Sequence, residues 1–264
     1  MSYSLAIVTI CFNNLQELKR TIQSVDEQKL LPFEHIIIDG STTTEIQDHL
    51  KSSNIPAYRK WTSEPDEGIS DAFNKGIRIA TGAIIHILNS GDLYYDKHTT
   101  QRVLNTFESD TSIKWTHGQY VQEMGGNWIV TGKQFDRNEL YRGMHKVGHP
   151  TMFVKKELYD QHGLFDISLK YAMDYDLLVR ISLEKFKYIP EPLIIFTPGG
   201  LSNQQRIKAF NEIGTIYKRY FKPSFEFYYW RYRMLLFYQL VDTWLGRKLL
   251  AWKHQKNLAK GLKQ

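Results

Sequence analysis

Segments with the length and composition of β-strands alternate with helix patterns along the first 95 residues, and this alternation limits the chain to few folds. The runs cover residues 5–12, 34–40, 58–61 and 83–88. Between the first two runs, apolar residues recur at helical spacing at Leu15, Leu18, Ile22 and Val25. Such alternation predicts a mostly parallel sheet with right-handed helical crossovers. The sequence therefore indicates an α/β fold, a sheet flanked by helices.

The run at residues 84–88 ends abruptly in Asn89-Ser90-Gly91-Asp92. A parallel strand that ends at an Asp brings this carboxylate to the sheet edge where α/β folds bind ligands. Small neighbouring residues leave space for a bulky anion, and the carboxylate can share a divalent ion with that anion. The motif therefore predicts a nucleotide diphosphate site.

The pattern changes after residue 95. Residues 99–107, 155–162 and 174–183 have helix patterns, and residues 113–130 are typical of antiparallel strands. Pro190 and Pro192 interrupt the end of this part. A length of 264 residues suits one large α/β domain with an appendage, or two small domains.

Cysteine content and apolar runs bear on the compartment. Cys11 is the single cysteine, which excludes an intramolecular disulfide and fits a reducing compartment. No signal peptide is visible, and no apolar run approaches the ~20 residues that span a bilayer. We therefore expect a cytoplasmic protein.

Positive charge is concentrated at the C-terminus. Residues 219–264 hold ten of the 34 Lys and Arg residues and two of the 28 Asp and Glu residues, so they carry +8 and the rest carries −2. Aromatic residues alternate with these cations, which predicts helices that lie on an anionic membrane. The alternative is that the aromatic residues pack on the catalytic domain or on another subunit of a homo-oligomer. Nucleic acid is not an expected partner, because the basic residues do not surround the predicted cleft.

Six motifs occur in a fixed order along the chain. They are Asn13 after the first strand, Asp39-Gly40-Ser41, Glu64-Pro65-Asp66-x-Gly68, Asn74-x-Gly76-Ile77, Leu88-Asn89-Ser90-Gly91-Asp92 and Met173-Asp174-Tyr175-Asp176-Leu177. Together they resemble the inverting family 2 glycosyltransferases of the GT-A fold, especially bacterial enzymes of exopolysaccharide, capsule and O-antigen assembly. The resemblance covers residues 3 to about 200 and implies a Rossmann-like, mostly parallel sheet flanked by helices. It also implies a GT-A domain at residues 1–218, with a nucleotide-binding half (1–95) and an acceptor half (96–218), followed by an amphipathic helical tail (219–264).

The resemblance implies a set of donor-binding residues. These are Thr9, Phe12, Asn13, Asp39, Gly40, Asp66, Asp71, Ser90 and Asp92. Three of them have structural alternatives: Asp39 as a helix N-cap, Phe12 as a core residue and Asp71 as a solvated first-turn acid. Residues 199–202 are a candidate lid over the donor, because glycines permit a hinge.

The metal motif departs from its acidic form. Asn89 and Gly91 stand where many members of the family have Asp, which leaves Asp92 as the one carboxylate. The resemblance implies Mn²⁺ or Mg²⁺ at Asp92, completed by phosphate oxygens and waters, as is common for these ions. A turn with Gly91 at positive φ is compatible with this assignment.

The resemblance also implies catalytic residues. Asp174 matches the family's general base; Met173 replaces the acid that often precedes it, so Asp174 acts alone or with Asp176. Both acids are also typical of a helix N-terminus. His149 matches a segment that this branch places near the acceptor, where it can orient a hydroxyl or complete the metal site; the alternative is a purely structural hydrogen bond.

These assignments predict a metal-dependent, inverting hexosyltransferase. It moves a sugar from a nucleotide-sugar donor to a hydroxyl of a glycan or lipid-linked glycan in surface polysaccharide biosynthesis, on the inner face of the cytoplasmic membrane. A sugar-nucleotide nucleotidyltransferase is a rival, but the loop Asn13-Asn14-Leu15-Gln16 is neither Gly-rich nor basic. A non-enzymatic glycan-binding module is supported by the tail alone. No strand of this sequence is followed by a G-x-G-x-x-G motif, so an NAD site is not expected.

Overall fold

The computed structural model describes residues 3–124, 126–200 and 205–243. The strands are β1 Leu5–Cys11, β2 Glu34–Asp39, β3 Arg59–Ser63, β4 Ile84–Ile87, β5 Leu93–Tyr94, β6 Trp115–Met124, β7 Asn127–Thr131, β8 Phe153–Lys155 and β9 Phe186–Ile195. The helices are α1 Leu15–Asp26, α2 Glu45–Ser52, α3 Ile69–Ile79, α4 Thr99–Ser109, α5 Lys156–His162, α6 Met173–Arg180, α7 Arg206–Tyr220 and α8 Phe225–Asp242. Short 3₁₀ helices cover Arg137–Arg142 and His149–Thr151.

Within these ranges the strands form one sheet in the order β3-β2-β1-β4-β8-β6-β9-β5, with β7 paired to β6. The first four are parallel, which confirms the predicted α/β sheet. Cys11 lies opposite Asp39, and Asp39 lies opposite Ser63, so these strands end at the same edge. The loops that carry the predicted donor residues therefore meet there.

The second half completes the sheet with mixed pairing. β8 runs antiparallel to both β4 and β6, whereas β9 runs parallel to β6. β9 contains Pro190 and Pro192, and its register against β6 shifts around Gly118 and Gln119. A bulge of this kind admits residues that cannot donate ladder hydrogen bonds.

Helices pack closely on the parallel strands. α3 lies over β1 and β2, where Phe73 and Ile77 join Val8 and Ile36 in the core. Gly76 makes this contact possible, because a Cβ at this position would overlap the Val8 side chain. α3 is therefore held at a fixed height above the sheet.

The last described helix, α8, has apolar residues on two sides. On the inner side of α8, Phe227 is fully buried and stacks on Tyr217 of α7 at 4.8 Å between ring centroids. On the outer side Phe225 is 78% exposed and Tyr232 is 64% exposed. The expected division at residues 218 and 219 falls inside α7, and residues 244–264 of the tail lie outside the described residues. None of the helices described here has the length and apolar character to cross a bilayer.

Candidate active site

Two cavities adjoin at the carboxyl edge of the parallel strands. The donor-side cavity, about 600 Å³, is bordered by Phe12, Gly40, Asp66, Ser90 and neighbouring residues. The loop cavity, about 400 Å³, is bordered by Tyr120, His149, Lys170, Asp174, Phe196 and neighbouring residues. Ile69, Asn89 and Gly200 belong to both linings. Ligands in the two cavities would thus meet at a shared wall.

Asp66 borders the donor-side cavity because Gly40 leaves it room. A Cβ at Gly40 would overlap the Asp66 carboxylate. Lys75 binds this carboxylate at 2.8 Å and also pairs with Asp71 at 3.2 Å. Burial nevertheless raises the pKa of Asp66. Phe12 is 60% exposed and presents an open ring, suited to stacking on a planar base.

Two polar atoms beside the donor-side cavity lack partners. Asn89 Oδ1 and Ser90 Oγ are buried and make no hydrogen bond to any residue described here. A buried polar group left unpaired costs about 1–3 kcal/mol. Both atoms are therefore suited to contact a bound ligand or ion.

Asp92 lies outside both cavity linings, almost fully buried. Its Oδ1 accepts a 3.0 Å hydrogen bond from the Thr197 N–H. Burial raises the pKa of Asp92 to about 7, which the Thr197 hydrogen bond partly offsets.

A divalent ion fits this chemistry. Asp92, Asn89 and Ser90 offer oxygen ligands, which Mg²⁺ and Mn²⁺ prefer, and an ion would compensate a buried charge. Across the described ranges no group of three or more His, Cys, Asp or Glu side chains is placed to hold a metal. The remaining ligands would come from the donor's phosphates and from water.

Other predicted donor residues support the loops rather than line the cavity. Thr9 Oγ1 pairs with His35 inside the sheet at 3.0 Å. Asn13, at φ 51°, bonds to Ser41 and Thr42. Asp39 is fully buried and accepts hydrogen bonds from the Ser41 N–H and Ser63 Oγ at 3.0 and 2.8 Å.

Asp71 likewise faces its own loop. It accepts a hydrogen bond from the Glu67 N–H at 3.1 Å, and this bond holds its pKa below the usual value. Of the nine predicted donor residues, the structure thus places Phe12, Gly40, Asp66 and Ser90 at the cavity. Gly200 borders both cavities, while residues 201 and 202 of the expected lid lie outside the described residues.

The loop cavity contains the predicted base. Asp174 is half-buried in the first turn of α6 and accepts a hydrogen bond from the Tyr175 N–H at 2.8 Å. Burial raises its pKa to about 6, and the nearby Glu212 carboxylate adds to the rise. A carboxylate with this pKa is ionised at neutral pH yet more basic than an exposed one, as a general base requires.

His149 also borders the loop cavity. Its ring packs against Phe73 and Phe165 at 5.5 and 5.7 Å between centroids. Burial lowers its pKa to about 4, so the imidazole is neutral at pH 7. A neutral ring can accept one hydrogen bond and donate another, but it does not supply positive charge.

Asp176 is not brought to the cavity. It is buried, pairs with Arg180 at 2.9 Å and accepts a hydrogen bond from the Tyr220 hydroxyl at 2.9 Å. Residues two apart on a helix project about 200° apart, so Asp174 and Asp176 face opposite sides. The structure therefore separates the pair that the sequence left as possible partners.

Sequence patterns did not identify several lining residues. Lys170 and Tyr171 lie in the loop before α6, and Tyr120 lies on β6. Loop residues have no periodicity that indicates which way their side chains point. The alternation along β6 does not distinguish Tyr120 from the other residues of that strand. Asn89 was recognised within its motif, but only its unpaired amide oxygen indicates a ligand contact.

Known proteins match this sequence over most of its length. The family described as Glycosyl transferase family 2 matches residues 6–163, more than half of the chain. The uncharacterized glycosyltransferase Rv1514c of Mycobacterium tuberculosis is 27% identical over 229 residues, which cover 82% of this chain and 85% of the relative. A PGL/p-HBAD biosynthesis glycosyltransferase of Mycobacterium bovis is 24% identical over 180 residues, 67% of this chain and 68% of the relative.

Solved structures share the fold. S. aureus TarS 1–349 superposes with a TM-score of 0.62 at 16% identity, covering 81% of this chain and 65% of that chain. The mannosyltransferase PcManGT from Pyrobaculum calidifontis superposes with a TM-score of 0.63 at 15% identity, covering 83% and 64%. Such identities show the fold alone, and it is the GT-A fold. On the strength of the family match, the chain belongs to glycosyl transferase family 2.

Proposed function

We propose that this glycosyltransferase moves one sugar from a nucleotide-sugar donor to an acceptor hydroxyl, with inversion and with the aid of a divalent ion. The observation that carries the proposal is the pair of cavities with a shared wall. One is bordered by the unpaired Ser90 hydroxyl, and the other by Asp174 with its raised pKa. Donor and acceptor can occupy them side by side.

Structural neighbours support the choice of donor and ion. TarS was solved in complex with UDP and with UDP-GlcNAc, and PcManGT with GDP-Man and Mn²⁺. In the present chain the diphosphate would lie against Asn89 and Ser90, and the base against Phe12. Asp92 and these two residues would hold Mn²⁺ or Mg²⁺, which stabilises charge on the departing diphosphate.

The chemistry follows from the position of Asp174. Its carboxylate takes the proton of the acceptor hydroxyl, while the oxygen forms a bond to the anomeric carbon. The bond from that carbon to the diphosphate breaks, and the nucleotide leaves with the electron pair. Attack from the loop cavity and departure into the donor-side cavity occur on opposite faces of the sugar, which inverts the anomeric centre. Neutral His149 can orient a hydroxyl.

The acceptor is a glycan or lipid-linked glycan in this proposal. Tyr120, Tyr171 and Phe196 border the loop cavity, and aromatic faces suit sugar rings. Relatives named for PGL/p-HBAD biosynthesis agree with a role in a biosynthetic pathway. A surface polysaccharide is the product that we infer.

We infer further that the C-terminal helices hold the enzyme on the cytoplasmic face of an anionic membrane. Exposed aromatic and apolar residues recur every three or four positions along one face of α8: Phe225, Tyr228, Tyr229, Tyr232, Leu236 and Leu240. Tyrosines suit the headgroup layer. The +8 charge of residues 219–264 complements anionic lipid.

Donor hydrolysis tests the proposed reaction. The purified full chain is incubated with UDP-GlcNAc, other UDP-sugars and GDP-mannose in Mn²⁺, and free nucleotide is measured. We expect slow, EDTA-sensitive release from one donor, and a released sugar of inverted configuration by NMR. Release of nucleotide from none of these donors, or retained configuration, contradicts the proposal.

A further inference from the structure

The loop of residues 163–172, called here the base loop, leads from α5 to Asp174 and is clamped at several points. Arg180 donates to the carbonyl oxygens of Gly163 and Leu164 at 2.7 and 2.9 Å. Asn74 of α3 bonds to both the N–H and the carbonyl oxygen of Phe165, each at 2.9 Å. Asp176 holds Arg180 in place. The start of the base loop is thus fixed by α3 and α6.

The end of the base loop is held by a single carboxylate from α7. Glu212 Oε1 accepts from the Lys170 N–H at 3.1 Å. Its Oε2 accepts from the N–H groups of Tyr171 and Ala172, both at 2.7 Å. These three consecutive N–H groups precede α6, where no intrahelical acceptor is available for them. Hydrogen bonds to a charged acceptor are about twice as strong as neutral ones.

The three residues whose N–H groups Glu212 binds either border the loop cavity or directly precede the helix that carries Asp174. Lys170 and Tyr171 border the cavity, and Ala172 is the N-cap residue directly before the helix that carries Asp174. We propose that Glu212 is a positioning residue for sugar transfer, which fixes the base and two cavity walls through the backbone of the base loop. This inference rests on Asp174 being the base of the proposed reaction.

Charge gives Glu212 a second effect on the site. His149 and Lys170 border the same cavity as Asp174, and the Glu212 carboxylate from α7 is close enough to act on Asp174 electrostatically. The negative charge of Glu212 adds to the burial that raises the pKa of Asp174. A purely structural clamp would not alter the titration of Asp174, so the pH profile distinguishes the two roles.

Three variants separate the effects of charge, reach and stability. Glu212→Gln removes the charge but keeps one acceptor oxygen, whereas Glu212→Asp keeps the charge but shortens the reach. Glu34→Gln is the matched control. The Glu34 carboxylate likewise holds two successive N–H groups, those of Thr81 and Gly82 at 2.5 and 2.8 Å, but at the opposite edge of the sheet.

The readouts are hydrolysis of UDP-GlcNAc or GDP-mannose, whichever the wild type cleaves, and calorimetric binding of the matching nucleoside diphosphate with Mn²⁺. In Glu212→Gln we expect a hydrolysis rate about 10- to 100-fold lower, since small displacements of a base cost that much. The acid limb of its pH profile, where the rate falls at low pH, should move to lower pH, and nucleotide affinity should not change. Glu212→Asp should slow the reaction without moving the acid limb. Glu34→Gln should lower the melting temperature but change neither the rate nor the position of the acid limb.

The inference is overturned if Glu212→Gln lowers the melting temperature but keeps the wild-type rate and limb. It is also overturned if Glu34→Gln moves the limb as much as Glu212→Gln does. The assignment of the base is tested separately: if Asp174→Asn still hydrolyses donor at the wild-type rate, the proposed mechanism fails first, whatever Glu212 does.

Discussion

Asp174 and Asp176 are two residues apart on α6 but have different surroundings. Asp174 faces the loop cavity, while Asp176 is buried in an ion pair with Arg180. Asp174→Asn should therefore lower transfer or hydrolysis about 10²–10⁴-fold, as loss of a general base does, with calorimetric binding of nucleotide unchanged. Asp176→Asn should lower the melting temperature more than Asp174→Asn does. An inactive Asp176→Asn beside a fully active Asp174→Asn would reverse the assignment.

In the proposed mechanism, the titration of Asp174 sets the pH dependence of the reaction at saturating Mn²⁺, which keeps the Asp92 ligand ionised. Burial raises the pKa of Asp174 to about 6, and the base acts only when ionised, so the rate should fall as pH drops through about 6. His149, with a pKa near 4, should add no limb above that value. Hydrolysis measured from pH 4.5 to 8 in wild type and Asp176→Asn should give the same limb. A wild-type rate that stays constant down to pH 5 would contradict the raised pKa of Asp174.

Asp92 makes opposite contributions to stability and to ion binding. Its pKa is about 7 in the folded chain and about 3.9 in an unfolded one. Between these values the folded state holds a proton that the unfolded state has released, so the contribution of Asp92 to stability falls as pH rises. Asp92→Asn should thus melt at least about 2 °C above wild type at pH 8 without metal, and the difference should shrink toward pH 4.

The same variant tests the ion. Mn²⁺ together with UDP or GDP should raise the melting temperature of wild type but not that of Asp92→Asn. Equal calorimetric affinity for nucleotide in EDTA and in Mn²⁺ would contradict a metal held through Asp92.

At the scale of elements, α3 links the sheet to both cavities. Its Gly76 contacts Val8 of β1, while Ile69 borders both cavities and Asn74 clamps the base loop. Gly76→Ala should cost about 1–3 kcal/mol of unfolding free energy through overpacking, and it should weaken nucleotide binding by displacing α3. Combining Gly76→Ala with Val8→Ala makes room for the new methyl group, so the double variant should lose less unfolding free energy and less nucleotide affinity than the sum of the two single variants. Urea unfolding measures the first quantity and calorimetry the second. Losses in the double variant that exceed this sum would contradict the contact.

At the scale of the whole molecule, charge is polarised between −2 in residues 1–218 and +8 in residues 219–264. A cation near an anionic leaflet gains about 1 kcal/mol, so four or five engaged cations give salt-sensitive adhesion. We expect full-length protein to sediment with phosphatidylserine vesicles at low salt and to be released at high salt. Tyr229→Ser/Tyr232→Ser on α8 should weaken sedimentation, whereas Trp128→Ser, an equally exposed aromatic residue of β7, should not. Protein that ignores these vesicles at low salt would favour a packing or oligomer contact for α8.

The predictions from sequence differ in outcome for physical reasons. The alternating pattern predicted β1 to β4 and their helices. β1, β2 and β4 are buried on both faces and therefore form distinctive apolar runs, whereas the short β3 is partly exposed. β9 was not predicted, since Pro190 and Pro192 are tolerated only through a register shift against β6. β5 and β8 have two and three residues, too few for a periodic signal. An amphipathic helical tail was predicted over residues 219–264. In its described part, α8 buries Phe227 against α7 and exposes aromatic residues on the opposite side, and the membrane contact stays a prediction.

The sequence by itself determined the α/β class, the order of the motifs and the carboxyl-edge location of the site, because strand runs and the residues that follow them are local features. Tertiary structure decided which side chains border the two cavities. Thr9 lies within β1 and bonds to His35, and Asp39 lies at the predicted edge but bonds to Ser63 of the neighbouring strand. Asp176 pairs with Arg180, while Asp174 faces the cavity. Orientation of this kind depends on partners that are distant in sequence. The contact from Glu212 to the base loop, 40 residues away or more, is of the same kind and exists only once α7 packs beside α6.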